Sequence, residues 1–165
     1  MIVVSGLPRS GTSMLMQILS RGGLQCISDN KRPADEHNPN GYFEIKEIGQ
    51  HLSIYQHYGN NCCIKLLSPF LKKIENNHII IFIERNLEEC FASMQKMLNR
   101  KPAKDAFKKH LKDIKKYLKN KNVIYINYNK IITNPDKGLK PIKHLIPNFK
   151  EAKKAVDPTL QHNKQ

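Results

Sequence analysis

The sequence predicts an α/β fold: three layers, with a central, mostly parallel sheet of four to five strands flanked by helices, in one domain over residues 1–165. Three observations predict it. Short apolar runs alternate with amphipathic stretches, as in units that bring each strand back parallel to the last. The runs, His78–Glu84 above all, are continuously apolar rather than alternating, the mark of strands buried on both faces. A glycine-bounded loop, Gly6–Gly11, joins the first run to the first helical stretch. A chain of 165 residues suits one core and is short for two.

Taken in order, Ile2–Ser5 reads as a buried strand. Thr12–Arg21 reads as a helix with Leu15, Ile18 and Leu19 inward, closed by Gly22-Gly23. Leu24–Ile27 is a second short strand, and polar Ser28–Tyr42, with Pro33, Pro39 and Gly41, a long loop. A helix is expected over Phe43–Tyr58, and strands over Cys62–Leu66 and His78–Glu84. Asn86 can cap a helix over Leu87–Leu98 whose inward stripe is Leu87, Phe91, Met94 and Leu98, and Pro102 breaks it. Ala103–Leu118 places Phe107, Leu111, Ile114 and Leu118 on one side, with Lys104, Lys108, Lys112, Lys115 and Lys119 opposite. Val123–Asn127 is a fifth strand, followed by helical stretches over Pro135–Leu145 and Asn148–Val156.

The net charge of +14 is uneven. Residues 1–95 balance nine Lys/Arg against nine Asp/Glu, whereas residues 96–154 hold eighteen against four. The five arginines, Arg9, Arg21, Arg32, Arg85 and Arg100, lie in or beside the balanced part. Arginine is the forked cation suited to fixed anion contacts and lysine the flexible, hydrated one. The search for chemistry therefore begins at the arginines, and the lysine excess reads first as a solvated surface, with nucleic acid or another polyanion as the alternative partner. No stretch approaches the ~20 apolar residues of a membrane span. No basic-then-apolar leader precedes Ile2-Val3-Val4, and the four cysteines show neither CxxC nor zinc spacing. Reduced thiols, no metal and a cytoplasmic setting are the expectation.

The most informative segment is Gly6-Leu7-Pro8-Arg9-Ser10-Gly11-Thr12-Ser13, between a buried strand and a helix. Glycines there let backbone amides turn around an anion, and the helix N-terminus adds its positive dipole end. The spacing is that of a Walker-type loop, so the fold is expected to be of the P-loop type. Thr12 stands where the Walker lysine should be, which argues against ATP or GTP hydrolysis, and a cation stands inside the loop instead, at Arg9.

The six residues Pro8-Arg9-Ser10-Gly11-Thr12-Ser13 resemble the 5′-phosphosulfate-binding loop of the sulfotransferase family, Pro-(Lys/Arg)-Ser-Gly-Thr-(Thr/Ser). The resemblance implies 3′-phosphoadenosine-5′-phosphosulfate (PAPS) as donor and adenosine 3′,5′-bisphosphate (PAP) as product. It implies a cofactor site of Pro8, Arg9, Ser10, Gly11, Thr12 and Ser13. The family's 3′-phosphate anchors are an Arg ending a buried strand and a Ser eight positions on; Arg85 and Ser93 match them. Lys65, ending the Cys62-Cys63-Ile64-Lys65 run, is similar to the family's strand-end lysine. The segments Asn38–Glu44 and Val156-Asp157-Pro158 look like those of a compact bacterial group within the family, and the resemblance covers nearly the whole chain. Departures are equally visible. Leu67 stands where many cytosolic members carry a base histidine, and no late Arg-Lys-Gly clamp is present.

Sulfuryl transfer resembles phosphoryl transfer in needing cations where charge develops. Arg9 and Lys65 are the expected catalytic cations, and Glu44 the expected base, because Gly41-Tyr42-Phe43 would dry its surroundings and raise its pKa. Asp29 is the nearest competitor, followed by Asp35, Glu36 and His37. The expected reaction is metal-independent transfer to a hydroxyl or amine of a small-molecule or carrier-borne acceptor. The alternatives are an inactive nucleotide-binding P-loop protein, or a polyanion-binding module using the Lys-rich 96–154 region.

Overall fold

The computed structural model describes residues 1–36, 38–46, 48, 61–74, 78–99 and 103–160. Five strands form one all-parallel sheet: β1 (Ile2–Gly6), β2 (Gln25–Ile27), β3 (Cys62–Lys65), β4 (Ile79–Glu84) and β5 (Val123–Asn127). Their spatial order is β2-β3-β1-β4-β5. From β1 the chain goes to the far edge at β2, returns inward to β3, then crosses β1 to build β4 and β5 on the other side. Such a reversal leaves a crevice at the carboxyl ends of the central strands, where ligands bind in open α/β sheets.

Alternation along each strand divides the core in two. Ile2, Val4, Cys63, Ile81 and Ile83 face α1 (Thr12–Arg21), whose Leu15, Met16, Ile18 and Leu19 are buried against them. Val3, Ile64, Leu66, Ile80 and Phe82 face a 3₁₀ segment, Ser68–Lys73, and Ile114 and Leu118 of α3 (Lys104–Leu118). Between β4 and α3 lies α2 (Leu87–Leu98), capped by the Asn86 side chain accepting from the Glu88 N–H at 2.8 Å. Of the expected stripe Leu87, Phe91, Met94 and Leu98, Phe91 and Met94 are buried, joined by Cys90 and Ser93, whereas Leu87 is half-buried and Leu98 exposed. Phe91 makes a T-shaped contact with Phe107, ring centroids 5.9 Å apart.

After β5 the chain forms α4 (Tyr128–Thr133) and α5 (Pro135–Leu139), a 3₁₀ turn (Lys140–Leu145) and α6 (Phe149–Lys153). The sequence reading missed α4, because Tyr-Asn-Lys-Ile-Ile-Thr is rich in residues that favour strands. Asn127 starts it by accepting from the Lys130 N–H at 2.9 Å, and Asn134 starts α5 in the same way.

The helix expected over Phe43–Tyr58 does not begin at Phe43. Phe43 has φ 50, in the left-handed region, and its neighbours' carbonyls serve tertiary bonds instead of a helical ladder. Glu44 O accepts from Asp29 N and Ser28 Oγ, and Tyr42 O accepts from Lys65 Nζ. Residues 49–58 of that helix, and the Pro102 break, lie outside the described residues. No helix among the described residues is long and apolar enough to cross a membrane.

Two glycines differ in what they tolerate. Gly11 has φ +101, and a Cβ there would lie 2.4 Å from Tyr128 Cδ2. Gly41 has φ +84 with nothing within 4 Å. Gly11→Ala is therefore expected to lose ~1–2 kcal/mol to the left-handed backbone and a further ~1–3 kcal/mol to overpacking. Gly41→Ala should lose only the first. Urea midpoints of the two variants measure the difference, and equal shifts would show that Tyr128 moves aside without cost.

Candidate functional site

The loop from β1 to α1 turns on Ser10 N–H donating to Leu7 O at 3.1 Å. Arg9 sits in the left-handed region, φ 67, and Gly11 caps α1 from the same region. The first turn of α1 holds no acidic residue, so its positive dipole end is uncompensated. A cleft of about 200 Å³ opens over this loop at the carboxyl ends of β1, β3 and β4. Pro8, Arg9, Gly11, Thr12 and Ser13 line it, together with Lys65, Arg85 and Ser93. Residues up to 85 positions apart thus meet at one place.

Ser10 alone of the expected loop residues is not on the cleft wall. Its side chain packs over Gly6, where a Cβ would lie 2.4 Å from Ser10 Oγ. Only glycine at position 6 leaves that space, so Ser10 shapes the loop from beneath.

Among the described residues, four cations line the cleft: Arg9, Arg85, Lys65 and, beside Glu44, Arg32. Arg9 reaches across it: Nε donates to Ser93 Oγ at 2.9 Å and Nη1 approaches Met97 Sδ at 3.4 Å. Arg85, at the end of β4, is held by an ion pair to Glu89 at 2.7 Å, by Nη1 donating to Arg9 O at 3.2 Å, and by the Tyr128 ring 4.2 Å away. Its Nη2 is buried and has no hydrogen-bond partner among the described residues. An unpartnered buried guanidinium nitrogen costs stability unless an acceptor fills the place, and an anionic ligand is such an acceptor. Beside it, burial pushes the Cys90 thiol up to about 11, which keeps it unreactive.

Lys65, at the end of β3, is the third cation and is only 5% exposed. Its Nζ donates to Tyr42 O, to Ser13 Oγ at 3.1 Å and to Glu44 Oε1 at 3.0 Å. All three ammonium donors are thereby used. Burial lowers the lysine's pKa, with Glu44 opposing and the Arg32 and Arg9 charges adding to the effect. Glu44 also pairs with Arg32 at 2.8 Å, and the Arg32 guanidinium lies 3.4 Å from the Tyr42 ring centroid.

No protein-family model matches the chain, and no curated protein matches it. The chemistry of the cleft therefore rests on its own residues.

The expectation that an apolar pocket raises the Glu44 pKa is overturned. Burial does push the carboxyl up, but Lys65 and Arg32 outweigh burial and hold it below the usual range. The sequence reading weighed the neighbours of Glu44 along the chain; the cations come from β3 and from twelve residues earlier. Asp29 is a loop clasp: its oxygens accept from Lys31 N at 3.0 Å and Lys46 N at 2.7 Å, which holds its carboxyl low, and it lies outside the loop-side cleft. Asp35 accepts the Tyr42 hydroxyl at 2.7 and 2.8 Å and orients that ring. Glu36 is exposed, and His37 lies outside the described residues.

Among the residues lining the cleft, Arg32, Met97 and Tyr128 are ones to which sequence reasoning gave no place there. Arg32 was visible as one of five arginines, but nothing along the chain signals that it meets Glu44. Tyr128 carried a positional signal only, directly after β5.

Proposed function

We propose that the chain binds PAPS over the β1–α1 loop and transfers its sulfuryl group to a hydroxyl or amine. The observation that carries this reading is the meeting of the loop, Lys65, Arg85 and Ser93 at one cleft, with a buried Arg85 nitrogen lacking an acceptor. The loop amides, the α1 N-terminus and Arg9 suit the 5′-phosphosulfate, and Arg85 with Ser93 suits a 3′-phosphate. PAPS supplies an activated sulfuryl group: the acceptor oxygen or nitrogen bonds to sulfur as the sulfur–bridging-oxygen bond breaks, and that electron pair leaves on the phosphate. Arg9 and Lys65 stabilise the departing negative charge. Glu44, ionised and beside Lys65, accepts the acceptor's proton. Ser93 Oγ accepts from Arg9 Nε and still carries its own proton, with which it can donate to a 3′-phosphate.

Nucleotide binding without transfer is the second reading. It is favoured by the apolar Leu67 on the cleft wall and by the two ion pairs that make Glu44 a weak base. PAP binding by the intact chain, with no transfer to any hydroxyl- or amine-bearing compound, would select it.

Arg85→Ala and Ser93→Ala should each reduce the preference for PAP over adenosine 5′-monophosphate. A charge-assisted contact is worth roughly 1.5–3 kcal/mol, so for Arg85 the preference should shrink about tenfold or more in calorimetric titrations. Equal weakening of both nucleotides would make Arg85 purely structural, a brace for the Arg9 carbonyl.

A further inference from the structure

None of the four cysteines is in a disulfide, and Cys26 alone of the four is not buried. Cys26 lies in β2 and Cys63 in β3, paired in register in the parallel ladder. Both side chains pack into the half of the core beneath α1. Cys62 packs into the opposite half, as the alternation along β3 requires. The Cys26 and Cys63 sulfurs lie 2.8 Å apart. Cys26 Sγ also donates to the Met16 carbonyl of α1 at 3.3 Å. A thiol has a single proton to give, so the proton between the sulfurs is that of Cys63. The hydrogen bond to Cys26 and burial push the Cys63 thiol far above its usual range.

The geometry points to a reversible disulfide between Cys26 and Cys63, formed by a hydroperoxide, that locks β2 to β3. Cys26 is the half-buried sulfur of the pair, on an edge strand beside exposed Gln25, so a small oxidant reaches it first. Deprotonated, it attacks a peroxide oxygen: a sulfur–oxygen bond forms, the oxygen–oxygen bond breaks, and hydroxide leaves and takes up a proton as water. The Cys63 sulfur then attacks the Cys26 sulfenic acid. The sulfur–sulfur bond forms, the sulfur–oxygen bond breaks, and the Cys63 proton goes to the departing hydroxide as a second water. The two thiols give up two electrons and the peroxide takes them. Adjacent strands lie ~4.7–4.9 Å apart, within the ~4.4–6.8 Å Cα separation of disulfides. The sulfurs must close by less than ~1 Å, and β2, three residues long and paired on one side only, takes up the shift. Two residues beyond Cys26, Ser28 Oγ donates to Glu44 O at 3.1 Å, and two residues beyond Cys63 stands Lys65. The disulfide therefore braces the roots of both segments that carry the Lys65–Glu44 pair. Nothing in this inference depends on which ligand the cleft binds.

The test treats the reduced, intact chain with hydrogen peroxide and counts thiols after denaturation. Four thiols should fall to two, a peptide joining Cys26 to Cys63 should appear in the digest, and dithiothreitol should restore all four. The oxidised chain should have a higher urea midpoint than the reduced one, because the new bond restricts the unfolded chain between positions 26 and 63. Cys26→Ser keeps a hydroxyl for the Met16 carbonyl and should fold; under the same treatment it should lose no thiol. Cys63→Ala should stop at the Cys26 sulfenic acid, captured by dimedone, since no second thiol displaces the hydroxide. Retention of four thiols by the parent, a bridge between another pair or between two chains, or loss of two thiols in Cys26→Ser would overturn the assignment. An oxidised chain with an equal or lower midpoint would overturn the lock.

Discussion

Arg9→Ala is expected to weaken PAP binding by roughly ten- to a hundredfold, the equivalent of the ~1.5–3 kcal/mol of a charge-assisted contact. Transfer should fall further, by about 10²–10³, because the same cation serves the bound anion and the charge that develops on the leaving phosphate. Stability should change little. The Arg9 side chain is half-exposed, its partners are Ser93 Oγ and Met97 Sδ, and alanine faces the same left-handed backbone that arginine already occupies. Arg9→Lys should recover part of the binding, since it keeps the charge and loses the fork. Unchanged affinity in calorimetry together with unchanged turnover of labelled donor would remove Arg9 from the site.

Glu44→Gln should lower turnover by ~10²–10⁴ with PAP affinity nearly constant, because the amide keeps the shape and takes no proton near neutral pH. It should also cost stability. Breaking a fully buried pair costs about 3–5 kcal/mol, and the loss here should be smaller because the Glu44 side chain is 30% exposed while Lys65 is 3% exposed. The pH dependence separates the two partners. A carboxyl whose folded pKa lies below its unfolded value, near ~4.3, contributes stability above that value and loses it as the pH falls through the folded pKa. Lys65, whose folded pKa is also lowered, opposes folding throughout the range where a free lysine is charged, and its effect is constant in acid. The acid limb of urea-midpoint stability should therefore be shallower in Glu44→Gln than in the parent. Superimposable acid limbs would show that the Glu44–Lys65 pair contributes nothing to the fold, and full turnover in Glu44→Gln would mean that the acceptor loses its proton elsewhere. Asp29→Asn, measured alongside, should leave turnover intact, since both Asp29 oxygens clasp the backbone of Lys31 and Lys46.

Much of the molecule is local in origin and was legible along the chain. The continuously apolar runs of β1, β3 and β4 are buried on both faces, as strands in the middle of a parallel sheet are, with β2 and β5 at its edges. Gly6–Ser13 carries its turn in its own residues, in the left-handed φ of +101 at Gly11 and the room Gly6 leaves for Ser10 Oγ, while the crowding of Gly11 by Tyr128 is tertiary. Arg85 and Ser93 were legible only through the resemblance, as an Arg ending a strand and a Ser eight positions on; by themselves a strand-end Arg and a helix Ser signal nothing. Tertiary structure alone decided the state of Glu44. Its protonation depends on Lys65 and Arg32, brought to it by a strand pairing and a loop crossing, and on Tyr42, whose carbonyl Lys65 holds so that no helix starts at Phe43. Local periodicity reports which face a residue prefers; the charge of a half-buried carboxyl depends on which cations the fold sets within about 3 Å of it.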